Sequence, residues 1–353
     1  MVTADDLIDA RTLEILAENA EHADRLDVWP EDSWRALVAA GVPAWSVPRP
    51  FGGRGLGPVD LLRGNEALAA ACLTTAFILS QRESAVRRVI ANGSPEQQRR
   101  LLPALAKGDR LLTVGLSQLT TSRQHGAPSL TAAPLDAGRY RLDGLIPWVT
   151  AADQADEILA GATLPDGRQL LVLLPGGAAG VDVEPPLALA ALSGSRTTQV
   201  RCSGVTVEPE QILAGPAAQV LAAGKGGVGG LETSCLALGL AAAAIRLLER
   251  EAAARPDLTG AGARFADAER AARERLHRFV QTEAAPADVI ALRVECTLLA
   301  LRATQTVLAA AKGTGFVAPH PAQRWARQAL FFLVWSCPRP AAEGILARLL
   351  PDA

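Results

Sequence analysis

Side chains able to do chemistry are sparse in this chain, and metal, thiol and phosphate chemistry each demand a spacing that can be checked. The four histidines, His22, His125, His277 and His320, lack the spacing of a metal-ligand set. The five cysteines, Cys72, Cys202, Cys235, Cys296 and Cys337, contain no C-x-x-C pair, which excludes zinc ribbons and redox dithiols. Gly224 to Gly230 matches G-x-G-x-x-G, but no apolar strand precedes it and no Lys-Ser/Thr follows, so it reads as a lead into a helix. No G-x-S-x-G elbow offers a hydrolase nucleophile. Glu232, in GGLETSCLALGL, reads as an N-terminal helix charge favoured by the macrodipole. Trp148 and Thr150, two residues apart, read as a core indole and a strand-end hydroxyl.

The elements that must hold these groups follow from periodicity. Tyr140 and Leu142 alternate with Arg139, Arg141 and Asp143, the period of a half-buried strand. Asp143-Gly144 is a hairpin dipeptide, and a second apolar run carries Trp148, Val149 and Thr150. Strands are expected over 111–116, 140–142, 157–162, 169–174 and 198–207, with Asp166-Gly167 as a further hairpin turn. Before them the pattern is helical. It runs through Leu7, Leu13, Ile15 and Leu16, then Trp34, Leu37 and Val38 closed by Gly41, then one long buried helix over 61–81. Ser94 and Gln97 form a capping box. After the strands, helices are expected over 231–254, 265–279, 289–311 and 323–335. The expected division is a helical domain over 1–110, a β-barrel or sandwich over 111–215 and a four-helix bundle over 216–353.

Composition bounds the function. With 49% hydrophobic and 20% charged residues over 353 positions, the chain is globular and long enough for two or three packed units. A net charge of -2 gives no electrostatic reason to expect nucleic acid or an anionic membrane. No uninterrupted apolar run looks long enough to span a bilayer. Scattered thiols and the lack of a signal peptide point to the cytoplasm.

Five segments together resemble the acyl-CoA dehydrogenase family. The first is Gly138-x-Tyr140-x-Leu142-x-Gly144 with Trp148-x-Thr150 and Ala155-Asp156, similar to the family's flavin-contacting segment. The others are Phe51-Gly52-Gly53 with Gly55-Leu56, NGSPEQQRRLLPALAKGDR, Gly194-x-Arg196-x-Thr198, and Gly313-x-Gly315-Phe316 followed by Arg324-x-x-Arg327. The resemblance implies an α+β fold, with helices at both ends around a central β-domain. It implies FAD as cofactor, no metal, a small-molecule substrate that by default is a CoA thioester, and a homodimer or homotetramer. Trp148 would lie beside the isoalloxazine, and Thr150 would hydrogen-bond near its N5 edge. Leu116, Ser117 and Val149 would complete the cradle, and Arg255 would reach the FAD pyrophosphate of another subunit. Gln81 and Arg82 lie on the helix whose family counterpart floors the substrate cavity; read without the family, they are a buried polar group and a surface arginine.

The chain departs from the family at the reacting centre. Arg123 replaces a serine that contacts CoA, Ala309 replaces a glutamine that helps hold FAD, and the family's usual catalytic Glu position falls on Ser336. A serine hydroxyl takes no α-proton at neutral pH without a base of its own. The resemblance offers Glu232 as a substitute base, about one turn from where some family members place it, against its reading as an N-terminal helix charge. The expected function is therefore an FAD-dependent oxidoreductase resembling acyl-CoA dehydrogenases. The alternatives are a flavin-dependent monooxygenase of the same fold and a non-catalytic homologue.

Overall fold

The computed structural model describes residues 7–24, 28–120, 127–221, 231–282 and 284–351. Helix α1 (Ala10–Glu18) starts at Asp9, whose carboxylate accepts from the Thr12 backbone N–H at 2.8 Å. Helix α2 (Glu31–Ala39) gives way to a turn in which Gly41 takes a left-handed φ of 68°. The single helix expected over 61–81 is two: α3 (Pro58–Ala71) and α4 (Leu73–Asn92). Between them Cys72 is extended, with φ -150° and ψ 103°. The Cys72 thiol and the Thr75 hydroxyl share a 3.2 Å hydrogen bond across the break. Local side-chain bonding of this kind competes with helix continuation. Helix α5 (Pro95–Lys107) opens on the complete Ser94/Gln97 capping box and closes on Gly108 at φ 77°.

Eight strands then form one sheet: β1 (Leu112–Gly115), β2 (Leu130–Pro134), β3 (Tyr140–Val149), β4 (Glu157–Thr163), β5 (Gln169–Pro175), β6 (Val181–Val183), β7 (Thr198–Val207) and β8 (Ile212–Ala217). Their order is β6-β7-β3-β2-β4-β5-β8, and β1 pairs with β4 in parallel. Asp166-Gly167 turns β4 into antiparallel β5 as expected. Asp143-Gly144 does not turn the chain. It lies inside β3 at a register shift between Leu142 and Gly144. A Cβ on Gly144 would stand 2.2 Å from the Ser129 carbonyl oxygen, so only glycine lets β2 pass this close. The Asp143 carboxylate accepts from the Gly204 N–H of β7 at 2.8 Å.

The chain ends in helices α6 (Leu231–Ala254), α7 (Thr259–Gln281), α8 (Pro286–Gly315), α9 (Pro321–Leu330) and α10 (Arg339–Leu349), the last unexpected from sequence. By length and composition α6 could cross a membrane, which corrects the sequence expectation, but 89% of its apolar window is buried inside the protein. Its alanines and leucines serve a core shared with the first helices: Leu16, Leu37 and Leu68 cluster with Leu240, Leu292 and Phe332. The two helical ends of the chain therefore form one packed body, with the sheet fastened to its side.

Candidate functional site

Strands β1 and β3 end at the same corner of the sheet. Gly115 makes this possible, because a Cβ there would lie 2.3 Å from Ile146 Cγ2. Past the end of β1, the Ser117 hydroxyl donates to the Pro147 carbonyl at 3.0 Å, which puts Ser117 beside Trp148. The Thr113 hydroxyl donates to the Thr150 carbonyl at 2.8 Å and fixes the end of β3. Three of the residues expected to act together, Ser117, Trp148 and Thr150, thus share one corner.

Trp148 is 52% exposed, and of the six tryptophans it is the one in the exposed class. Its backbone φ is 58°, a left-handed conformation that a bulky residue rarely takes and that costs about 1–3 kcal/mol. The strain is not isolated. Seven described non-glycine residues have positive φ, and four of them lie close together in the chain's pairing: Trp148 at the end of β3, Ala151 in the turn after it, and Leu192 and Arg196 in the loop before β7. These two segments hold each other. Ala151 N–H donates to the Ser195 carbonyl at 2.9 Å, and the Arg196 guanidinium pairs with Asp153 at 2.6 Å. The strain is thus concentrated around an indole turned toward solvent.

Two residues beyond the indole, Thr150 begins a buried line of hydroxyls. Thr150 Oγ1 is 3.1 Å from Thr197 Oγ1, which is 2.9 Å from Ser195 Oγ. Sequence reasoning missed Thr197 and Ser195. The available signal was the run of hydroxyl residues around Arg196, which only the pairing of β3 with β7 brings opposite Thr150.

Helix α4 closes the corner from the helical side. Ile78 packs with Leu111 and Ala151, while neighbouring Phe77 meets Phe331 edge-on at 4.8 Å and Trp335 at 5.0 Å. Gln81 stands one turn beyond both, half-buried, with its amide on the Ser80 hydroxyl at 3.1 Å. Its neighbour Arg82 is not a surface arginine. It is fully buried and binds the Pro43 carbonyl at 3.1 Å, the Leu105 carbonyl and Glu83. That role is internal bracing between α4, α5 and the turn after α2.

The other expected site residues lie elsewhere or turn inward. The side chains of Leu116 and Val149 are buried in apolar clusters, so they can serve a ligand only through their backbone. Both Glu232 oxygens are taken by Arg87, at 3.1 and 2.7 Å. Burial works against the Arg87 charge, but Glu232 more than offsets it and the guanidinium titrates above its ordinary range. Arg255 bonds the Ala310 carbonyl at 2.7 Å and Asp257 at 3.1 Å, tying the end of α6 to α8. Ser336 is exposed at φ 43°, next to the Phe331–Trp335 stack. Arg123, His125 and Gly224 to Gly230 lie outside the described residues.

The corner fits a flavin ring. It offers an exposed indole for a planar aromatic surface, with the hydroxyls of Ser117 and of nearly buried Thr150 close to it along the chain.

Residues 7–109 match the family model described as acyl-CoA dehydrogenase, N-terminal domain. A probable acyl-CoA dehydrogenase of Bacillus subtilis (strain 168) is 24% identical over 239 residues, 65% of this chain and 62% of that protein. Isobutylamine N-hydroxylase of Streptomyces viridifaciens is 29% identical over 214 residues, 58% of this chain and 54% of that protein. These matches cover less than two thirds of the length of either relative. The solved structure of butyryl-CoA dehydrogenase from Megasphaera elsdenii superposes with a TM-score of 0.81, covering 99% of this chain and 96% of that one, at 18% identity. At that identity the likeness is one of fold.

Proposed function

We propose that the chain is a flavin-dependent oxidoreductase of the acyl-CoA dehydrogenase family, with FAD at the Trp148 corner; the match of residues 7–109 to that family's N-terminal domain and the shared fold support the reading. The observation that carries the reading is the strained, half-exposed indole flanked by Ser117 and Thr150. When bound, the flavin supplies a ring that accepts two electrons and exchanges them with a substrate or oxygen. This chain's residues do the rest. Trp148 covers one part of the ring, Thr150 meets its edge, and Ser117 holds the Pro147 carbonyl that sets the indole. The substrate is a small molecule, by family default a CoA thioester, approached from the α4 side past Gln81. Arg123 is the phosphate contact of that reading. By the same family default the working unit is a homodimer or homotetramer.

One observation favours the monooxygenase among the possible reactions. A base that takes an α-proton must be placed to reach the substrate, and the Glu232 carboxylate is instead held by both terminal nitrogens of Arg87 on the neighbouring helix. Ser336, at the family's usual base position, carries no base. A ring without an adjacent carboxylate suits oxygen chemistry, and a relative of that reaction class, the N-hydroxylase, is among the matches.

The experiment is direct. Purified protein reconstituted with FAD is expected to be yellow; a colourless protein that binds neither FAD nor FMN would sink the enzyme reading. Anaerobic bleaching by acyl-CoA would mark a dehydrogenase. Bleaching only by NADH or reduced flavin, followed by oxygen uptake, would mark the monooxygenase.

A further inference from the structure

The line Ser195–Thr197–Thr150 has a direction that proton counting constrains. Three hydroxyls carry three protons, and two internal hydrogen bonds, of 2.9 and 3.1 Å, use two of them. The third proton is left over on one of the three. Ser195 is fully enclosed, at 0% exposure, and among the described residues its hydroxyl has no partner beyond Thr197. A proton left over there, or on buried Thr197 between its two neighbours, would be a buried O–H without an acceptor, which costs about 1–3 kcal/mol. The same cost falls on Thr150 unless a ligand accepts from it, and the flavin edge of the proposed function, beside exposed Trp148, is that acceptor. With it in place, the arrangement that leaves no buried O–H unpaired has Ser195 donating to Thr197, Thr197 donating to Thr150, and the spare proton on Thr150.

The line is held in register from both sides. The Thr113 hydroxyl grips the Thr150 carbonyl, the Ala151 N–H grips the Ser195 carbonyl, and the Thr198 hydroxyl donates to the Glu184 and Pro185 carbonyls at 2.7 and 2.8 Å. Thr150 and Thr197 are both β-branched and stiff at χ1, which limits reorientation.

We infer that Thr197, fed by Ser195, is a positioning residue that fixes the Thr150 hydroxyl as a hydrogen-bond donor, so that the corner favours a flavin edge able to accept. The inference rests on the flavin reading above. An oxidised flavin presents an unprotonated ring nitrogen at its N5 edge, an acceptor. Uptake of two electrons and a proton converts that nitrogen to N–H, a donor, which then faces a hydroxyl already committed to donating. The line thus favours the oxidised cofactor over the reduced one and lowers the reduction potential of the bound flavin.

Thr197→Val keeps the shape and removes the hydroxyl. The test measures FAD dissociation constants and the midpoint potential of full-length protein, equilibrated with a reference dye under anaerobic conditions. Thr197→Val is expected to weaken binding of oxidised FAD relative to reduced FAD by about three- to tenfold. Tenfold corresponds to a positive shift of roughly 30 mV for a two-electron couple. Thr197→Ser, which keeps the hydroxyl, is expected to match the wild type. Thr197→Cys, a weak donor, replaces Val should that variant not fold, and is expected to shift less with the same sign. An unchanged potential in Thr197→Val, or an equal shift in Thr197→Ser, would overturn the inference and leave the flavin reading standing. Failure of the wild type to bind FAD or FMN would remove both.

Discussion

The two oxygens of Glu232 lie within hydrogen-bond reach of both terminal nitrogens of Arg87, and the two side chains are only 17% and 25% exposed. A pair that sheltered is a brace between α4 and α6 before it is anything else. Glu232→Gln is expected to lower unfolding free energy by about 1–3 kcal/mol, since it removes the carboxylate that holds both terminal nitrogens of Arg87 and leaves only the more distant charge of Glu83. Turnover of flavin-loaded protein should change by less than about tenfold, below the 10²–10⁴ that a lost general base costs. Denaturant melts and steady-state rates read the two effects separately. A collapse in rate with unchanged stability would return the base to Glu232. The residue's type and place on the chain were legible in the sequence. Its partner was not, because Arg87 is 145 residues away and ordinary among the chain's many arginines.

At the scale of elements, helix contacts depend on two glycines that periodicity does not distinguish from alanines. A Cβ on Gly239 of α6 would lie 2.5 Å from the Glu66 carbonyl of α3 and 2.7 Å from Ala69 Cβ. A Cβ on Gly64 of α3 would enter the Trp45 ring at 2.3 Å. In an exposed helix Gly→Ala stabilises by up to about 1 kcal/mol. Gly239→Ala is expected to do the reverse, destabilising by about 1–3 kcal/mol through overpacking, as read by the midpoint of urea unfolding. A stabilised variant would mean that α3 and α6 can part without cost. The β-bulge at Gly144 makes the same point for the sheet. The dipeptide Asp143-Gly144 carries a turn signal that holds for isolated hairpins, and here the approach of β2 and the Gly204 N–H draw those residues into a continuous strand.

At the scale of the molecule, Asp24 joins three distant parts of the chain. Its carboxylate accepts from the Leu192 N–H at 2.8 Å and from Gln328 at 3.1 Å, and pairs with Arg327 at 2.8 Å. Arg327 also holds the Ala190 carbonyl at 3.1 Å, and Arg324 pairs with Glu21 at 3.0 Å. The N-terminal turn and α9 therefore grip the loop that carries Ser195 and Thr197. Asp24→Ala is expected to cost about 3 kcal/mol, because a nearly buried carboxylate with three partners is lost. FAD affinity should fall as well, while FAD added in excess restores part of the melting temperature by mass action. Stability within about 1 kcal/mol of wild type would show that the loop is held by packing alone.

The sequence by itself determined the helix–strand–helix order, the capping box at Ser94, the hairpin at Gly167, and a family resemblance that singled out Ser117, Trp148 and Thr150. Those features depend on local spacing and on backbone preferences that neighbouring residues enforce. Only the tertiary structure decided that Glu232 is paired, that Arg82 is interior, that α3 and α4 part at Cys72, and that Thr197 backs Thr150. Each of those depends on which groups long-range packing brings within about 3 Å of one another, and hydrogen bonds at that range carry no periodic mark along the chain.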